Sequence, residues 1–143
     1  RLHSHNWRDN ENTLFRPWEG LTAGIGQVNI TLRDFSGLDF ASLGVDENLK
    51  NRYIAELMAL RAWFYLNLYD CYRYVPLYTE ETGEGELIGS ASSQEVFDFI
   101  EKEVKEIVAL NILPAKSDER FIGHFSQASA MMILMRLYLN SDV

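Results

Sequence analysis

Cysteine is almost absent from the chain, and proline is scarce. One Cys, three Pro and nine Gly stand in 143 residues. The lone Cys71 excludes an internal disulfide and a multi-cysteine metal site. So few breakers favour long, uninterrupted elements. Positive charge is also short: 13 Lys and Arg against 21 Asp and Glu leave a net charge of -8. A chain of that sign repels phosphate, which argues against nucleic acid as a partner. No apolar run approaches the roughly 18 residues of a membrane span. Arg1-Leu2-His3-Ser4-His5 does not read as a signal peptide. No Gly-rich phosphate loop, G-x-S-x-G or H-E-x-x-H motif is present.

What is present fits one globular domain over residues 1–143. Hydrophobic residues make up 47% and charged residues 24%, too apolar for disorder. The aromatic share of 13% is high and calls for either core or ligand stacking. Four segments carry helical periodicity, and none shows sustained alternation, so the fold class is all-α.

The first segment runs from about Pro17 to Asp34, with Leu21, Ile25, Val28 and Leu32 on one face. Pro17 suits a first helical position. Gly20 and Gly24, one turn apart, leave room for a neighbouring backbone. The second runs from Glu47 to Tyr72 behind Asp46 as N-cap. From Leu57 to Tyr72 it is apolar nearly all round, which predicts a central helix covered on every side, with Leu60, Phe64 and Leu66 buried. The third opens with the capping box Ser92–Glu95. It buries Val96, Ile100, Val104, Ile107 and Val108, pairs Glu101 with Lys105 and ends between Asn111 and Pro114. The fourth runs from the N-cap Ser126 to Asn140 and has almost no polar face. Its outer side needs cover from further chain or from a partner subunit.

Tyr65-Leu66-Asn67 is echoed 73 residues later by Tyr138-Leu139-Asn140. Helices one–two and three–four therefore read as two copies of an antiparallel unit in an α-solenoid. The connections 35–45 and 73–91 are longer than usual between packed helices.

Four blocks in order resemble the SusD/RagB family of outer-membrane nutrient-binding lipoproteins. They are Trp18…Gly24-Ile25…Asn29; Ala55-Glu56…Leu60-Arg61-Ala62-Trp63-Phe64-Tyr65-Leu66-Asn67-Leu68-Tyr69 with Val75-Pro76-Leu77; Ser93-Gln94-Glu95-Val96-Phe97-Asp98-Phe99-Ile100; and Gly123…Ser126…Arg136-Leu137-Tyr138-Leu139-Asn140. Arg73-Tyr74 stand where the family usually has Gly-Asp, and His124 where it has Arg. The resemblance implies a tetratricopeptide-like α-solenoid of antiparallel helix pairs. It implies the helical N-terminal portion of a longer chain, lipid-anchored at the outer-membrane surface of a Bacteroidetes-type bacterium. It also implies capture of glycans or other nutrients for a TonB-dependent, SusC-like transporter, without catalysis and without a cofactor. The anchoring cysteine lies outside this fragment.

Asn6, Trp7, Arg8, Asp9 and Asn10 are the ligand-binding candidates. An aromatic ring meets the C–H face of a sugar, while amides, a carboxylate and a guanidinium meet its hydroxyls. The resemblance places some glycan contacts in this segment. His3, His5 and Asp9 offer metal-ligand chemistry, but a solvated tail explains them as well, and no metal site is assigned. Arg61 and Arg136 read as structural ion pairs, with Glu56 a partner for Arg61, and no catalytic residue is assigned. Two other classes compete: a helical-repeat scaffold for protein partners, and a glycosidase built on the acidic loop Glu80–Glu86.

Overall fold

The computed structural model describes residues 12–83, 85–116 and 122–141. Four helices make up the fold: α1 (Asn12–Ser36), α2 (Glu47–Tyr72), α3 (Ser93–Leu110) and α4 (Gln127–Leu139). No strand occurs among the described residues.

The helix starts follow local chemistry. Asp46 accepts the Leu49 amide at 2.9 Å. Ser92 and Glu95 form a reciprocal capping box, and Ser126 does the same with Ser129. Asn111 takes the left-handed conformation (φ 51°) that closes α3. Arg73 closes α2 with φ 62° and ψ -51°, and the Tyr74 amide bonds the Tyr72 carbonyl across it at 2.7 Å. This is a γ-turn of the rare positive-φ kind. The arginine ring-stacks over Tyr69 at 4.4 Å and donates to the Asn140 carbonyl at 3.0 Å, which holds it there.

The start of α1 differs from the expectation. The helix extends upstream of Pro17, so the proline lies inside it. A proline there removes one hydrogen bond. The turn before it is fixed from outside, because the Tyr72 hydroxyl donates to the Leu14 carbonyl. Trp18 packs edge-on against the same tyrosine with ring centroids 5.1 Å apart.

Contacts fix the directions of the helices. Trp18 and Gly24 of α1 meet Tyr72 and Phe64 of α2, so the two run antiparallel. Arg61, Tyr65 and Tyr69 of α2 meet Glu103, Phe99 and Phe97 of α3, again antiparallel. Tyr138 near the end of α4 touches Phe97 and Glu101 near the start of α3. Hence α2 and α4 run parallel, and they touch, whereas α1 and α3 do not. The inner neighbours of the solenoid are therefore α2 and α4. The burial register also shifts relative to the sequence echo: Ala59, Ala62 and Leu66 correspond to Ala130, Ile133 and Leu137, 71 residues on in each case.

The core gathers Ile25, Tyr65, Leu66, Leu68, Tyr69, Val75, Ile100, Val104, Ile107 and Leu137, with α2 at its centre. Leu66 is fully buried as expected, but Leu60 and Phe64 are only half-buried and Trp63 is 40% exposed. One side of α2 is thus open. Met131, Met132, Met135 and Leu139 of α4 are exposed as well.

Candidate functional site

The binding candidates Asn6, Trp7, Arg8, Asp9 and Asn10 lie outside the described residues, as do His3 and His5. Among the described residues no group of three or more His, Cys, Asp or Glu side chains is placed to hold a metal ion. The chain is described from Asn12, at the end of the bundle where Tyr72 clamps Leu14. From there one face of α1 carries Asn12, Phe15, Arg16 and Glu19 around a hollow of about 530 Å³, with Gly20 and Ala23 beside them.

The most heavily bonded polar group in the interior is Arg61. It is only 3% exposed and lies between three helical elements and a loop. Its Nε donates to both Glu103 oxygens at 3.1 and 3.2 Å, and its Nη2 also pairs with Glu103. Its Nη1 donates to Asn29 Oδ1 at 2.7 Å and pairs with Glu80. Glu56, the partner expected from the sequence, is instead taken by Arg52 at 3.0 Å and lies 2.7 Å from His124 Nδ1. On α2 the side chains of Glu56 and Arg61 are five residues apart, which does not align them on one face. Arg136 pairs with Asp70 at 2.6 Å, as a structural ion pair should.

The same network straps down the segment after α2. Asn29 donates to the Tyr78 carbonyl at 3.0 Å, and the Tyr78 amide donates to the Tyr65 hydroxyl at 2.7 Å. Arg33 donates to the carbonyls of Glu80 and Thr82 at 3.1 and 2.9 Å. Glu86 accepts the Gly83 amide at 2.9 Å. The acidic loop is therefore partly a structural strap. Burial works to raise the Glu80 carboxyl, but its bond to Arg61 prevails and holds it below the usual range. Burial raises the Glu103 carboxyl, with Glu80 competing for the same guanidinium. Burial likewise pushes the Tyr65 hydroxyl well up. Glu103, Asn29 and Tyr65 were not picked out as a group by the sequence. The available signal was a carboxylate beside Ile100 and Val104 on an apolar face, and an amide beside Ile25 and Leu32.

On the open side of α2 lie two adjoining cavities that share Leu60 and Phe125: one of about 410 Å³ between α1, α2 and the turn before α4, and one of about 550 Å³ between α2 and α4. Trp63, Met132 and Arg136 line the second. No helix among the described residues is long and apolar enough to cross a membrane.

A family model for SusD-like proteins, described as starch-binding and associating with the outer membrane, matches residues 2–139. Among solved structures, a laminarin-binding SusD-like protein is 31% identical over 86% of this chain, with a TM-score of 0.74. A surface glycan-binding protein A from Bacteroides uniformis is 24% identical over 90% of the chain, with a TM-score of 0.80. A SusD superfamily protein from Parabacteroides distasonis is 25% identical over 92%, with a TM-score of 0.79. The chain covers 26%, 28% and 27% of those three, about a quarter of their length. No curated protein matches it.

Proposed function

The chain belongs to the SusD-like family, and on that footing we propose that it is the N-terminal helical part of a cell-surface protein that captures oligosaccharides and does not cleave them. The observation that carries this reading is the 31% identity, over 86% of the chain, to a protein described as laminarin-binding. Asn6, Trp7, Arg8, Asp9 and Asn10 supply part of the sugar contact. The captured glycan passes to a TonB-dependent, SusC-like transporter, and the protein sits on the outer membrane through a lipid anchor. The four helices form a single unit of that protein.

The carboxylates of the interior support a binding role over hydrolysis. A glycosidase needs an accessible acid with a raised pKa and a second carboxylate across the substrate. The raised group, Glu103, is 5% exposed and bonded to Arg61, while the loop carboxylate Glu80 is held ionised by the same arginine. A scaffold for protein partners is the competing reading, and the apolar groove between α2 and α4 is the observation on its side.

The test is calorimetry on the protein carrying this chain, against a panel that includes laminarihexaose and maltoheptaose. Stacking on one aromatic ring is worth about 1 kcal/mol, so Trp7→Ala is expected to weaken binding by about tenfold. Unchanged affinity would remove Trp7 from the site. A protein that binds no glycan, but does bind another protein through the Leu60–Met132 groove, would be a scaffold.

A further inference from the structure

We propose that the apolar groove along the open side of α2 is filled by a later segment of the same chain, an apolar helix face that follows Val143 and turns into the seam between α2 and α4. This rests on the chain being the N-terminal helical part of a longer SusD-like protein, and not on what that protein binds.

Spacing on α2 builds the groove. Tyr53, Leu57, Leu60 and Trp63 stand four, three and three residues apart, so they share one face. At 1.5 Å per residue that face is about 15 Å long, the reach of a helix of about ten residues. Phe35 of α1 flanks it on one side, and Phe125 and Met132 flank it on the other. Trp63 is 40% and Met132 59% exposed. A contiguous apolar strip of this kind marks a docking surface.

The lining favours an apolar occupant over a sugar or an ion. Its two charged groups are already paired, Glu56 with Arg52 and His124, and Arg136 with Asp70. The Thr31 and Ser129 hydroxyls donate back to the carbonyls of Gln27 and Ser126.

Two observations point to the same chain as the source. This chain covers only 26–28% of three relatives whose fold it shares, so most of such a protein lies outside it. The last turn of α4 is also pinned beside the groove. The Asn140 carbonyl accepts from Arg73 at 3.0 Å, its side-chain amide bonds Asp70 at 3.2 Å, and Asp70 pairs with Arg136 in the groove wall. Each helix here runs antiparallel to the one before it, and a helix that turns back after α4 would run along this seam. A tethered segment is present at an effective concentration on the order of millimolar, which a free partner rarely matches. A groove filled in this way is closed to other proteins.

The test uses the full protein carrying this chain, without sugar, in a Cys71→Ser background because Cys71 is itself exposed. Met132→Cys is compared with Ile30→Cys, an exposed position on α1 that lines neither cavity. The Met132→Cys protein is expected to react with a maleimide about tenfold or more slowly than the Ile30→Cys protein when native, and equally fast in concentrated urea. Hydroxyl-radical oxidation of the unsubstituted protein reads the same position without a variant, and native Met132 should be protected relative to the unfolded chain. With a photo-cross-linking residue in place of Met132, the captured peptide should come from beyond Val143. Equal labelling of the two native proteins, or rapid oxidation of native Met132, would show an open groove and overturn the proposal. A cross-linked dimer would assign the groove to a second copy and overturn it too. None of these readings involves a sugar, so the capture reading stands or falls separately.

Discussion

Arg61 of α2 and Glu103 of α3 face each other across the helix seam, 3% and 5% exposed, with the Arg61 Nε shared between both carboxylate oxygens. Arg61 also ties Asn29 of α1 and Glu80 of the following loop, so one side chain joins three helices and the strap. Removing it leaves a carboxylate buried without a counter-charge. Arg61→Met is expected to destabilise the fold by about 3–5 kcal/mol in a denaturant melt. The double variant Arg61→Met, Glu103→Leu should be distinctly more stable than Arg61→Met alone. Equal stability of the two would mean that burial of Glu103 is not what the single variant exposes.

The carboxyls of this network titrate in opposite senses. Folding lowers Glu80 below its ordinary 4.5, so the stability it contributes is present above that value and is lost as the pH falls through the lowered one. Folding raises Glu103 above 4.5, so it costs stability at neutral pH, and that cost is relieved as the pH falls through the raised value. Carboxyl-carbon NMR on acidification should show Glu103 taking its proton above pH 4.5 and Glu80 below it. Glu80 and Glu103 titrating together near 4.5 would contradict the network.

Two glycines of α1 predict opposite outcomes for the same substitution. Gly20→Ala adds a methyl group into open space and should stabilise by roughly 0.5–1 kcal/mol through helix propensity. Gly24→Ala gains the same propensity, but its Cβ meets the Phe64 ring at 2.7 Å. Overpacking costs about 1–3 kcal/mol, so the net change should be destabilising. Thermal melts of the two variants moving in the same direction would show that α1 and α2 are further apart than this.

Arg73 bears a backbone conformation that glycine adopts freely. Arg73→Ala and Arg73→Gly both lose the stacking on Tyr69 and the bond to the Asn140 carbonyl, but only alanine still carries a Cβ that is strained at positive φ. Arg73→Gly should therefore be more stable than Arg73→Ala by about 1 kcal/mol or more in a chemical melt. The reverse order would mean that α2 ends without the γ-turn.

Local chemistry was legible in the sequence, and distant pairing was not. Asp46, Ser92 and Ser126 announce their helices because a cap acts over three residues. The link between Arg61 and Glu103 spans 42 residues, and no periodicity in either helix selects one partner over another. The start of α1 was read at Pro17 for the same reason. What fixes the turns before the proline is Tyr72, 58 residues from Leu14. That difference sets what α1 presents: a helix beginning at Pro17 would not bring Asn12, Phe15 and Arg16 onto the face of Glu19. Asn6–Asn10 were singled out on residue chemistry alone and lie outside the described residues, while the face of α1 upstream of the proline follows from the distant Tyr72 contact.

The central claim is capture without cleavage. Its most direct test is a calorimetric titration of the protein carrying this chain with laminarihexaose, followed by product analysis of the same sample after prolonged incubation. The account predicts saturable binding and recovery of the hexasaccharide intact. Release of shorter sugars with new reducing ends, or no heat of binding with laminarihexaose or any other glycan tried, would contradict it.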